Sequence, residues 1–149
     1  MKDSVIAIDP GNDTGWACFV SGVLLTCGTD RYPIFFHDPT FSRGARVIIE
    51  KPQGRERHSK GSQNQIIDLA IKAGELSGFY KKQPWVKLVT LVTPVEWKGS
   101  VPKEIHNRRV LAKLTEQELA LLPVRPRARN PYDHNTVDAI GLGLWLLKR

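Results

Sequence analysis

At 149 residues, with 41% hydrophobic and 25% charged side chains, the chain has the length of one domain, spanning 1–149, and is too apolar for a disordered protein. Lys and Arg number 22 against 15 Asp and Glu, and the resulting +7 asks for a polyanionic partner, nucleic acid first. The longest apolar run, Ala139 to Leu147, falls well short of the roughly 20 residues that span a bilayer, and Val5 to Ile8 is too short an apolar stretch for a secretory signal, so a cytoplasmic protein without membrane attachment is expected.

Val5 to Ile8 reads as a central buried strand, stopped at once by Asp9, Pro10 and Gly11. Trp16 to Val20 and Val23 to Cys27 follow as two strands around Ser21-Gly22, a pair suited to a tight hairpin turn. Cys18 and Cys27 lack the spacing of a zinc site or a disulfide scaffold and read as small buried hydrophobes. Asp30 to Arg46 has no clean period and is a connection with at most a helical turn. Val47 to Glu50 is a short β-branched strand that also ends in an acid, followed by Pro52 and Gly54.

From Ser62, a candidate N-cap, to Tyr80 the residues Ile66, Ile67, Ala70, Ile71, Ala73 and Leu76 recur at helical spacing, and the face of Ile66, Ala70, Ala73 and Leu76 is expected in the core. Val86 to Val92 is a strand closed by Pro94, with Trp97 in the loop beyond it. Lys103 to Leu122 is helical with a break near Leu114-Thr115, and Pro123 ends it. Val124 to Asp133 is an extended cationic loop, and a helix from about His134 to Leu147 closes the chain. Gly141 and Gly143 each cost that helix about 1 kcal/mol relative to alanine, so close packing against a sheet is the expected compensation. The order of elements gives a mixed α/β fold in one sheet, three antiparallel strands first and parallel strands after.

Asp9 and Glu50 both stand at carboxyl ends of strands, the edge of an α/β sheet where ligands collect. Asp133, His134 and Asp138 begin the last helix, with His134 and Asp138 four apart and on one face. Crowded carboxylates repel, and a hard divalent cation, Mg²⁺ or Mn²⁺, relieves them; two such ions suit in-line phosphodiester hydrolysis. Cations flank these acids: Lys51, Arg55, Arg57, His58 and Lys60 after Glu50, Lys98 and Lys103 around Trp97, and Arg125, Arg127 and Arg129 before His134. Such arms hold a phosphate backbone while the acids work through metal. His37 and His106 have no ligand-like spacing and are assigned no role.

Ile6-Ala7-Ile8-Asp9-Pro10-Gly11 with Thr14-Gly15 resembles the first motif of RuvC-like Holliday junction resolvases. Val47-Ile48-Ile49-Glu50 resembles their second acidic strand, and Asp133-His134-Asn135-Thr136-Val137-Asp138-Ala139 their last motif, closest to compact phage-type members. The resemblance runs from residue 5 to 147. It implies a ribonuclease H-like fold, a homodimer and Mg²⁺-dependent nicking of four-way DNA junctions by a bacterial or phage-derived enzyme. Asp9, Glu50 and Asp138 would be metal ligands and catalytic groups. The family commonly sets a fourth ligand three residues before the final Asp, where this chain has Asn135; His134 is preferred for that role and Asp133 is the runner-up, with helix capping its other use.

Asp9-Pro10-Gly11 is also similar to the first turn of actin-like and sugar-kinase ATPases, but their nucleotide lies between two domains, which this length does not supply, so no nucleotide cofactor is expected. Two further alternatives stay open: a nuclease of this fold acting on RNA or non-junction DNA, and a non-catalytic nucleic-acid-binding module.

Overall fold

A computed structural model of the chain describes residues 3–31, 44–54 and 60–149. The strands are β1 (Ser4–Asp9), β2 (Thr14–Val20), β3 (Val23–Asp30), β4 (Ala45–Glu50) and β5 (Val86–Val92). The helices are α1 (Lys60–Lys81), α2 (Pro94–Lys98), α3 (Lys103–Ala112), α4 (Glu116–Leu119) and α5 (His134–Leu146). The five strands form one sheet in the order β3-β2-β1-β4-β5. β1, β2 and β3 pair antiparallel, whereas β4 runs parallel to β1 and β5 parallel to β4. Three meandering strands followed by parallel ones, with helices on both faces, make the ribonuclease H-like sheet.

Alternation along the strands decides which residue meets which layer. In β1, Val5 and Ala7 face α5 together with Ala17, Phe19 and Ile48, while Ile6 and Ile8 join Cys18, Val47 and Ile49 against Ala73, Leu76 and Tyr80 of α1. The near-continuous apolar run of β1 is thus the signature of a strand covered on both sides. Cys18 and Cys27 lie in neighbouring strands but in opposite layers, and neither forms a disulfide. The hairpin turn is the one its sequence demands: Ser21 at φ 53° and Gly22 at φ 80° are both left-handed, as a two-residue turn between twisted strands requires.

α5 is helical despite its two glycines, and both are explained by contact. A Cβ on Gly143 would fall inside the Phe19 ring, and one on Gly141 would stand 2.8 Å from Val110 and 2.9 Å from Trp97. At the other end, a Cβ on Gly15 would overlap the Asn135 backbone. Glycine therefore lets the whole length of α5 settle on β1 and β2.

Some expected boundaries shift. α1 begins at Lys60, so Ser62 stands inside the helix rather than capping it. Its apolar stripe docks only from Ala73 onward; Ala70, Ile67 and Ile71 are exposed, and Ile66 is half-buried. Trp97 lies not in a loop but in α2, which Pro94 opens instead of merely closing β5, because proline is favoured in the first helical turn. The expected break after Leu114 is present: Thr115 caps α4, its hydroxyl accepting from the Glu118 N–H and its N–H donating to the Glu118 carboxylate. The connection from Asp30 to Arg46 lies largely outside the described residues. Among the described residues, no helix is long and apolar enough to cross a membrane.

Candidate active site

Asp9 is two residues beyond Ala7 and Glu50 two beyond Ile48, so the parity that buries Ala7 and Ile48 beneath α5 turns both carboxylates to the same face. β1 and β4 are adjacent and parallel, with Ile8 beside Ile49, so the next residues of each strand emerge side by side at the sheet's carboxyl edge. α5 crosses this face and brings Asp138 to the same place from the interior. Asp9 is 8% exposed and Asp138 5%. Burial, then the charges of Glu50 and Asp138, hold the Asp9 carboxyl well above the ordinary carboxylate range. Glu50 is also raised by burial, with Lys98 and a hydrogen bond from Trp97 pulling the other way. Asp9, Glu50 and Asp138 thus form one electrostatic unit.

Around it, α2 and α3 supply groups of opposite character. Lys98 Nζ stands 3.4 Å from Glu50 Oε2 and 3.6 Å from Asp138 Oδ2, and 4.8 Å over the Trp97 ring. Trp97 is buried and donates from Nε1 to Glu50 Oε2 at 2.6 Å, which fixes the orientation of that acid. Lys103, at the start of α3, lowers the proton affinity of Asp9. His106 packs edge-on against Trp97, with ring centroids 4.9 Å apart, and points Nε2 at Asp138 Oδ1 from 3.8 Å. Trp97 and His106 were not legible as site residues from spacing. Neither sits in a recognisable motif, and only the packing of α2 and α3 against α5 brings them to the acids.

The expected fourth position divides differently. Asp133 caps α5, its Oδ1 accepting from the N–H groups of Asn135 and Thr136, while Oδ2 pairs with Arg125 at 3.2 Å. His134 is exposed in the first turn of α5 and is not among the groups that shift Asp9 or Glu50. Sharing a helical face with Asp138 is not enough to bring it in, because α5 descends into the core between the two. Of the cationic arms, Lys51 is exposed just past Glu50, and Arg127 and Arg129 are exposed on the loop before α5, with Arg127 at φ 71°. Arg125 is spent partly on Asp133 and on the Tyr132 carbonyl. Arg55, Arg57 and His58 lie outside the described residues, as does the side chain of Lys60.

Among the described residues, no three Asp, Glu, His or Cys side chains are placed closely enough to hold one metal ion. The donor chemistry nevertheless fits a divalent cation. Three carboxylates face one edge, Asp9 has its proton affinity raised by burial and then by its acidic neighbours, and Asp138 Oδ1 is buried with no hydrogen-bond partner among the described residues.

Fold and site together define a class: a ribonuclease H-like sheet with acids gathered at its carboxyl edge. No family model and no curated protein matches the chain. Among solved structures it is similar to T. thermophilus RuvC in complex with Holliday junction substrate, at 14% identity and a TM-score of 0.44, over 95% of this chain and 91% of that one.

Proposed function

We propose that the protein is a metal-dependent endonuclease that nicks branched DNA, four-way junctions foremost. The observation that carries this reading is the convergence of Asp9, Glu50 and Asp138 from three separate elements onto one buried edge, at an energetic cost that the fold alone does not explain. These three carboxylates would hold two Mg²⁺ or Mn²⁺ ions. When bound, such ions lower the pKa of a water and stabilise the attacking and leaving oxygens of an in-line phosphoryl displacement. Trp97 fixes the Glu50 carboxylate, and Lys98 at the mouth meets an incoming phosphate or balances the acids before it arrives. Lys103 shares a cavity lining with Asp138, and Lys103 with the exposed Lys51, Arg127 and Arg129 would carry backbone affinity.

The preference for junctions rests on the sequence motifs that resemble RuvC-like resolvases, as does the homodimer, which would present two such edges to two strands of one junction. Purified protein is incubated with labelled four-way junction, linear duplex, single strand and RNA–DNA hybrid, in Mg²⁺, Mn²⁺ or chelator. Nicks should appear in the junction, require metal, and disappear with Asp9→Asn while junction binding persists. Cleavage retained by Asp9→Asn rejects the mechanism, and preference for the hybrid transfers the enzyme to RNA. Light scattering should give twice the chain mass.

A further inference from the structure

We infer that the cleft between α3 and the end of α5 is a second nucleic-acid site, which takes one unpaired nucleotide of a single strand, its base on Trp145 and its phosphate among Arg109, Lys113 and Lys148. The inference rests on the preceding reading only in directing that strand toward the acids; binding in the cleft needs neither metal nor cleavage.

A cavity of about 510 Å³ opens here, within the roughly 300–1,000 Å³ of sites that hold small organic molecules. Its lining contains five Lys and Arg side chains and no Asp or Glu. Two of the five are committed elsewhere: Lys98 lies between Glu50 and Asp138, and Arg149 pairs with Glu118 at 2.7 Å. Arg109, Lys113 and Lys148 are exposed, and among the described residues none of them forms an ion pair with an Asp or Glu. Lys113 donates one N–H to the Arg149 carbonyl at 2.9 Å, which holds its ammonium at the rim with two N–H groups to spare. Arg109 and Lys113 are four apart at the end of α3, a spacing at which like charges repel, and an anion between them relieves that repulsion.

A bare phosphate would not call for the aromatic wall. Trp145 lines the same cavity and is 41% exposed, although it belongs to the otherwise deeply buried α5. It stands one turn beyond Gly141, where the missing side chain leaves the floor to Trp97 and Val110. An open indole face beside unpaired cations matches the two halves of a nucleotide, and a base still paired in duplex cannot leave its stack to reach the ring. Lys98, Val101 and His106 also line the adjoining cavity that reaches Asp138, so a strand lying at the acids has a cationic path into the cleft. The nucleotide held there is thus one beside the cut, which a flap, bulge or opened junction supplies and intact duplex does not.

The probe is a single-stranded oligothymidylate titrated in chelator into the full chain, with thymidine monophosphate, inorganic phosphate and blunt duplex as separate arms. The strand should quench tryptophan fluorescence and bind more tightly than the other three. Trp145→Ala should weaken it about tenfold and remove most of the quenching, and Trp145→Phe should restore much of the affinity. Arg109→Ala and Lys148→Gly should each lower the slope of log K against log salt by about 0.7. Lys148 sits at φ 57° just past α5, where glycine is the usual residue, so Lys148→Gly should do this without loss of thermal stability. Should Trp145→Ala fail to fold, the two salt slopes decide alone. Strand affinity and salt slopes unchanged in every variant overturn the site. Monophosphate bound as tightly as the strand makes it a pocket for a free nucleotide, phosphate bound as tightly as monophosphate makes it an anion patch, and duplex bound as tightly as the strand removes the unpaired base; each overturns the inference. Strand binding that is lost with Trp145 in a protein that nicks nothing keeps the site and removes the nuclease reading. Nicking by a protein whose strand binding ignores Trp145 does the reverse.

Discussion

In the proposed function, Asp9 illustrates how a single side chain sets function against stability. Folding buries it beside Glu50 and Asp138 and raises its carboxyl above the unfolded value, so the native state holds a proton there more tightly than the unfolded chain does. The sign follows: stability from this site falls as pH climbs through the ordinary Asp range, about 3.9, toward the raised native value. Asp9→Asn should therefore stabilise the metal-free protein at neutral pH, by about 1 kcal/mol, while abolishing cleavage. Denaturant unfolding of both proteins in chelator checks this, and added Mn²⁺ should narrow or reverse the difference by stabilising only the wild type. Glu118 is the opposite case. Hydrogen bonds from Arg149 pull its carboxyl down to about 2, with the Leu24 and Thr115 N–H groups adding to the effect. Its contribution, about 3 kcal/mol, is complete above the ordinary Glu range and is lost as pH falls toward 2. Arg149→Ala leaves that acid buried and unpaired and should cost about 3 kcal/mol at neutral pH, with earlier acid unfolding.

Helix glycines have opposite meanings in α1 and α5. Gly141 and Gly143 touch side chains from α2, α3 and β2 so closely that a methyl group has no room, whereas Gly74 and Gly78 of α1 have nothing within 4 Å of a Cβ. Gly143→Ala gains about 1 kcal/mol of helix propensity but forces Phe19 out of its place, for a net loss of about 2 kcal/mol. Gly74→Ala keeps the propensity gain alone and should stabilise by about 0.5–1 kcal/mol. The opposite signs in denaturant melts test the packing of α5 directly. The seating of α5 also sets the position of Asp138, so Gly143→Ala should reduce metal affinity as well as stability.

At the scale of the whole molecule, the net +7 is divided between two duties. Lys98 and Lys103 act on the acids, whereas Arg127 and Arg129 are exposed on their loop and in the proposed function would serve affinity. Binding of branched DNA should weaken with rising salt, and Arg127→Ala should reduce the slope of log K against log salt by about 1 without changing the cleavage rate at saturation. An unchanged slope removes that loop from the contact surface.

The sequence by itself determined the strands, because each carries its own pattern: the doubly covered apolar run of β1, the Ser21-Gly22 turn, and acids placed just where Asp9 and Glu50 end their strands. It also placed both acids at the carboxyl ends of their strands, whereas their sharing one face follows from the parallel pairing of β1 with β4. What it left open was everything that depends on how separate helices meet. Asp133 and His134 sit next to each other in the chain, yet one is absorbed in capping α5 and the other is exposed. His106 and Trp97, which no spacing singled out, reach the acids only because glycines let α5 sink onto the sheet and α2 and α3 close over its edge. Local pattern is written in near neighbours along the chain, whereas a site assembled from β1, β4, α2, α3 and α5 exists only once long-range packing has chosen which side chains meet.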